Sequence, residues 1–463
     1  MSVSKVWVWT FLMALGFLGN EINRTRNLVW PLKSTGIAQQ PNAARPMLLQ
    51  SDFSSPDCSG PSPTGYTRIF VADRRDGTPG TGGPSDAFDG STSEKFDTLL
   101  RSRSESGVTN LIVCIGPGTF QTEGTHDYVL GQGHLDKSHP AGFTVNQGWR
   151  IHGAAVDQTT LRLTDLFADP STGQYLEGII IGTHNFDSSG VEISDLTLDD
   201  NYPALKPRYQ SNLELLAVML RSNRGHQWIH NIHVTNASGE GPEDFPVGIT
   251  SQTQNPENQG NLIEYVTMDH WAGGRCTAII IAGGGGEIRY NTVIGYHIGY
   301  GGWSMTNVKF HDNQAIETTY GFNIDSWQNS GIVIAHNQIV HPLSYGLVIG
   351  GGNGDFSDFS ILDNTVTVAP KTIYGLLFQG NVKRARVLRN KIIADRPTGM
   401  STVLGFYEKN AQNVNNIFQE NVVTGSFRNS LQRSDCLWGN VSETGKELHS
   451  LRNTQDTRCQ ADQ

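Results

Sequence analysis

Charge is scarce in this sequence. Only 17% of its 463 residues are Asp, Glu, Lys or Arg, and the acidic ones outnumber the basic ones by 44 to 34. A net charge of −10 argues against nucleic acid or an anionic membrane as a partner, since both require a positive surface to displace their counterions. Basic residues are thin where a polyanion would be gripped: Arg275 is the one Arg or Lys between Arg224 and Arg289. Long apolar runs are missing too. The run at residues 6–18, after Lys5, is too short to span a bilayer and suits the core of a signal peptide. Residues 1–19 are therefore expected to direct export, leaving a mature chain outside the membrane, secreted or periplasmic.

Cofactor signatures are equally sparse. His226, His230 and His233 lack compact ligand spacing with Cys or Glu, so no structural zinc is expected. The glycines at 283–286 lack the Lys and Ser/Thr of a phosphate loop. The glycine-rich stretch 351–355 occurs once, whereas calcium-binding glycine repeats work as stacked copies. Five cysteines fit an exported chain with one or two disulfides, for which Cys58 with Cys114 and Cys436 with Cys459 are the candidate pairs. Cys276, inside an apolar stretch, is expected to be a buried free thiol.

What the sequence does contain is a repeat. An apolar residue is followed three positions later by Asn, and two positions after that by a small or branched apolar residue. The series runs Ile288/Asn291/Val293, Phe310/Asn313/Ala315, Ile334/Asn337/Ile339, Ile361/Asn364/Val366, Val387/Asn390/Ile392 and Phe418/Asn421/Val423. Asn-to-Asn steps of 22, 24, 27, 26 and 31 residues correspond to one three-strand coil with turns of variable length. Upstream the frame continues with an aliphatic residue in the Asn slot: Ile193/Leu196/Leu198, Ile229/Ile232/Val234 and Ile263/Val266/Met268. Coils stacked about 4.8 Å apart let an Asn donate to one neighbour and accept from the other, and its amide tolerates a left-handed turn. A leucine-rich repeat would need its own frame with helices between, and neither is present. With 52 glycines for tight turns, the reading is an all-β, single-stranded right-handed parallel β-helix.

Taken in order, residues 20–63 are polar and aperiodic and read as a leader or linker. The helix region spans 64–430, followed by a tail at 431–463. It opens with a strand at 68–73, a turn-rich loop Asp76-Gly-Thr-Pro-Gly-Thr-Gly82, Phe88-Asp89, and a short capping helix within 93–102. The apolar strand Leu111-Ile-Val-Cys-Ile115 follows. Together with Trp149-Arg-Ile-His-Gly-Ala154 and Val191-Glu-Ile-Ser-Asp-Leu-Thr-Leu-Asp199, these segments resemble the N-terminal cap and first coils of the pectate-lyase-like superfamily. The resemblance covers roughly residues 66–430. It implies an extracellular, carbohydrate-facing protein, and it names no sugar, linkage or oligomeric state. The paired-Asp signature of polygalacturonases and the dense calcium-binding acidic cluster of pectate lyases are both lacking. No cofactor is expected, and calcium has no recognisable site.

Two long steps, at 200–211 and 236–260, are expected to be insertions on the binding face. The fourth residue after the Asn slot forms a column of Asp200, Asn236, His270, Gly295, Glu317 and His341 that turns apolar at Val368 and Ala394. Glu317 beside His341 is a candidate acid/base couple, because each tunes the other. By alternation Asp325 faces outward beside Trp327. Trp271, Trp303, Trp327, Tyr296, Tyr300 and Tyr320 crowd three rungs and are candidate sugar platforms. The expected site holds Glu317, Asp325, His270 and His341 as proton-transfer or nucleophilic groups, and Arg275 as the contact for an acidic sugar. Three functions compete: β-elimination by a polysaccharide lyase, glycoside hydrolysis by paired carboxylates, and carbohydrate binding without turnover.

Overall fold

A buried line of asparagines fixes how the chain coils. Asn291 donates from Nδ2 to Oδ1 of Asn313 at 2.9 Å. The link repeats through Asn337, Asn364, Asn390 and Asn421 at 2.9–3.0 Å. Each Oδ1 also takes the backbone N–H of the Asn one rung back, and each Nδ2 reaches a carbonyl such as Ile263 or Ile288. Every amide is thus satisfied while buried, which is the condition for tolerating polar groups inside a stack. The left-handed residue is the one before the Asn, not the Asn itself as the sequence suggested. Tyr265, Tyr290, Asp312, His336, Asp363, Arg389 and Glu420 all have φ of 54–56°. Conformation and hydrogen bonding are divided between two neighbours: one residue turns the chain, and the next one bonds it.

This computed structural model describes residues 55–74, 76–125, 142–166, 176–183, 189–240, 246–253, 260–325, 328–351, 354–369, 372–394, 404–408, 415–424, 436–438 and 441–442. All fall within one compact unit. Apart from Ser238–Gly239, which pairs antiparallel with Leu213–Ser222, their strands pair in parallel from rung to rung on three faces of a right-handed coil, the hand that parallel crossovers take. The first face runs through Leu213–Ser222, Pro246–Thr253, the start of Thr277–Arg289, the start of Ile298–His311, Tyr320–Asp325 and Tyr345–Gly351. The second carries Ile229, Ile263, Ile288, Phe310 and Ile334 in one inward row. The third is built of short strands such as Thr292–Ile294, Gln314–Ile316 and Gln338–Val340. Inward rows such as Ile279, Tyr300, Phe322 and Leu347 fill the interior with like side chains stacked on like.

The capping helix, Ser93–Glu105, closes the first coil by burying Phe96 and Leu100, with Phe96 5.8 Å from Phe120. Thr92 caps it by accepting from the Lys95 amide. The ordered cap starts before residue 64: the helix Pro56–Ser59 is tied by the Cys58–Cys114 disulfide, and Arg68 donates to the carbonyls of Asp57 and Gly60. The coil also outlasts residue 430, because Cys436–Trp438 and Val441–Ser442 pair with the preceding rung. Cys276 is a buried thiol outside any disulfide, as read from the sequence. Residues 1–19 and Cys459 lie outside the described residues. No helix among those described is long and apolar enough to cross a membrane.

The two long steps differ from each other. The first holds a helix, Tyr202–Tyr209, pinned by Tyr202 and Lys206 to Glu240. The second is not an insertion over the binding face. It contains Pro246–Thr253, a full strand of the first face, whose Ile249 pairs with both Val218 and Ile279.

Candidate functional site

The fourth-position column is a turn. Asn236, His270, Gly295, Glu317 and His341 have φ of 53–76° and close the third face of consecutive rungs. Backbone bonds hold them in line, from Gly295 N to Ile316 O, Glu317 N to Val340 O and His341 N to Thr367 O at 2.7–2.9 Å. His270 and Glu317 are exposed, and His341 is half-buried. Between His270 and Glu317 stands Gly295, where an added Cβ would meet nothing within 4 Å. Two rungs separate the pair, about 9.6 Å along the axis. The column is a one-rung gap with an imidazole on one wall and a carboxyl on the other.

Hydrogen bonds orient the imidazole. His270 Nδ1 lies 2.7 Å from Asp269 Oδ1, and His233 Nε2 lies 2.9 Å from the same oxygen. Burial pushes the Asp269 carboxyl up, but the bonds from His233 and His270 outweigh it and hold the group below the usual carboxylate range. An ionised Asp269 accepts from Nδ1–H, so the network assigns the lone pair to the outward Nε2 of His270, the arrangement a proton acceptor needs. The His270 side chain is 70% exposed, so that nitrogen is open to a large substrate. Two rungs back from Asp269 the same position holds Asp199, bonded to Arg162 and Asn236.

The remaining expected residues divide. Arg275 and Trp271 belong to the segment leading from His270 into the first face, with the Arg275 amide anchored on Gly239 O. Trp271 is half-buried and stacks on Tyr296 at 6.3 Å. Tyr296 and Tyr300 are core residues, not sugar platforms: both are fully buried, and the Tyr300 hydroxyl is spent on the carbonyls of Asn291 and Gln314. Tyr320 is not a platform either, since Tyr345 stacks on it at 4.9 Å and His297 packs against it at 5.2 Å.

Asp325 and Trp303 occupy neighbouring rungs at the far edge of the first face, one step past the Gly302–Ile324 pair. Tyr320–Asp325 is an extended strand whose five steps cover about 16 Å. Glu317 precedes that strand, so Glu317 and Asp325 do not form a carboxyl pair of about 5–9.5 Å. Trp327 lies outside the described residues. Arg221, on the outer side of the first face, was not anticipated; burial lowers its guanidinium to about 10. His233 was also missed as a partner of Asp269, although its alternation with Thr235 on an outward face carried the signal.

Asp200 departs from the column as well. It is fully buried, burial pushes its carboxyl well up, and its oxygens have no hydrogen-bond partner among the described residues. A separate depression of about 380 Å³ lies at the N-terminal cap. Its Arg74 and Lys95 are already paired with Asp76, Asp86 and Asp89, which leaves the turn column as the better site. Among the described residues, the group with metal-ligating spacing is at that cap and not in the column.

No protein-family model matches the sequence, and no curated protein does. Solved structures do resemble it. The mannuronan C-5 epimerase AlgE6 A-module of Azotobacter vinelandii is 16% identical with a TM-score of 0.45, over 76% of this chain and 94% of that one. The family 28 exopolygalacturonase of Yersinia enterocolitica is 11% identical with a TM-score of 0.46, over 82% and 79%. PfbA, a surface adhesin of Streptococcus pneumoniae, is 11% identical with a TM-score of 0.44, over 76% and 86%. By name these are an epimerase, a polygalacturonase and an adhesin, so no single activity passes from them to this chain.

Proposed function

We propose that the chain is an exported polysaccharide-acting enzyme whose chemistry is proton transfer across the gap over Gly295, with β-elimination on a uronate-containing glycan as its reaction. The observation that carries this is the Asp269-oriented His270 one rung before Gly295, with Glu317 one rung after it. His270 Nε2 removes the proton beside the uronate carboxyl. Glu317 supplies a proton to the departing glycosidic oxygen, and Arg275 offsets the carboxylate charge that grows during abstraction. His341, one turn beyond Glu317, orients that acid, and the Tyr320 hydroxyl hydrogen-bonds a sugar hydroxyl. Trp271, Trp303 and Trp327 serve as further sugar contacts, and Asp325 binds a distal sugar. The separation of Asp325 from Glu317 by a whole strand weighs against a hydrolase built on that pair.

A second reading rests on the two-rung spacing between Asp269 and Glu317, near the upper end of what inverting hydrolases use. Both imidazoles on Asp269 compete with a water-activating role, so it stands second. Purified chain incubated with a panel of acidic and neutral polysaccharides separates the readings. Ultraviolet absorbance of an unsaturated product rising with reducing ends supports elimination. Reducing ends alone support hydrolysis, and binding with neither leaves a carbohydrate-binding protein.

A further inference from the structure

A cluster on the first rungs joins the N-terminal cap to the coil. Asp57, His152 and Glu192 each bring a ligand atom to within 4.8 Å of the others. His152 is 1% exposed, and its Nδ1 lies 2.8 Å from Ser194 Oγ. Ser194 gives its own hydrogen to Asp195 Oδ2 at 2.7 Å, so the serine oxygen accepts and the imidazole proton sits on Nδ1. Nε2 is left with a bare lone pair. It is buried, has no hydrogen-bond partner among the described residues, and faces Asp57 Oδ2 at 3.6 Å. That distance is too long for a hydrogen bond. It is close to the edge of a coordination tetrahedron, about 3.4 Å for bonds of about 2.0–2.2 Å.

We propose that Asp57, His152 and Glu192 bind one divalent transition-metal ion, Zn²⁺ by ligand type, which clips the cap to the coil. An imidazole with two carboxylates suits Zn²⁺ better than Mg²⁺ or Ca²⁺, which favour all-oxygen shells. Water completes the coordination, because the side chains of Asp57 and Glu192 are 21% and 13% exposed. Ser194 fixes the ring and its tautomer, as the outer partner of a metal-bound histidine does. Arg150 is the competitor: its guanidinium lies 2.5 Å from Asp57 Oδ2 and 3.5 Å from Glu192 Oε2, 4.5 Å above the Tyr66 ring. Without the ion it neutralises both carboxylates. Asp57 adjoins Cys58, and Cys114 pairs in register with His152, so ion and disulfide hold one short segment to adjacent rungs.

The test uses the full chain without a histidine tag, stripped with a chelator and titrated with ZnCl₂ by calorimetry and thermal unfolding. One saturable Zn²⁺ per chain and a higher unfolding temperature are expected, with no shift from equal Mg²⁺ or Ca²⁺. Ser194→Ala should weaken zinc binding by about 10–100-fold. Glu192→Gln and Asp57→Asn should weaken it at least as much, whereas Arg150→Met should tighten it. An ion-pair cluster with no metal role predicts the reverse for Arg150→Met: a less stable cap that zinc does not restore. Circular dichroism identifies any variant that fails to fold, and Glu192→Gln, at the solvent edge, then decides alone. Absence of saturable zinc uptake, uptake unchanged in Glu192→Gln, or weaker uptake in Arg150→Met overturns the proposal.

Discussion

At the scale of single residues, the stack depends on amides that serve two neighbours each. Asn337 accepts from the backbone and side chain of Asn313 and donates to Asn364 and to Phe310 O. Asn337→Ala should therefore cost about 1–3 kcal/mol, because it leaves the buried Asn313 N–H without its acceptor and takes a donor from both Phe310 O and Asn364 Oδ1. Equilibrium denaturation that finds the variant as stable as the parent would contradict the ladder. The ladder was legible in the sequence because one residue type fills one slot for one reason. The left-handed turn before it was not, since Tyr290, Asp312, His336, Arg389 and Glu420 share the conformation without sharing chemistry. A strained backbone position that its neighbours enforce leaves no mark in residue type. Tyr300 misled for a related reason: a tyrosine whose hydroxyl reaches two backbone carbonyls is as much a core residue as the Phe322 stacked on it at 4.8 Å.

At the scale of elements, the first-face strand decides which carboxyls can meet. Alternation pointed Asp325 outward, where it is half-buried, but alternation says nothing about which end of a strand a group occupies. Glu317 and Asp325 are only eight residues apart in sequence, yet Tyr320–Asp325 holds them apart. In the same way, the step 236–260 looked like an insertion because its strand, Pro246–Thr253, has no Asn slot of its own. The capping helix carries its own titration. Asp97 is buried where Thr122 Oγ1 and the Glu123 amide donate to it, and burial pushes it up to about 7. A carboxyl raised in the folded state holds a proton that the unfolded chain has already released. Stability should therefore fall as pH rises from the ordinary carboxylate range to about 7. Asp97→Asn, which copies the protonated form, should flatten that part of the profile of unfolding temperature against pH. A slope that persists unchanged in Asp97→Asn would show that another group sets it.

At the scale of the whole molecule, the coil is a ruler: rung spacing sets how far apart any two groups in the turn column stand, and the gap over Gly295 is one rung wide. That gives a way to close the site without touching its chemistry. Tyr265 and Tyr290 show that this chain accepts tyrosine at left-handed positions, so Gly295→Tyr should fold at a cost of about 1–2 kcal/mol while filling the gap. Its turnover should fall while its unfolding remains cooperative. The most direct test is the rate at which His270→Gln and Glu317→Gln act on the polysaccharide that the panel identifies, measured beside the parent chain under identical conditions. Loss of either proton-transfer group should lower turnover by about 10²–10⁴ with the fold intact. Near-parental turnover in both variants would contradict the account and move the chemistry away from the turn column.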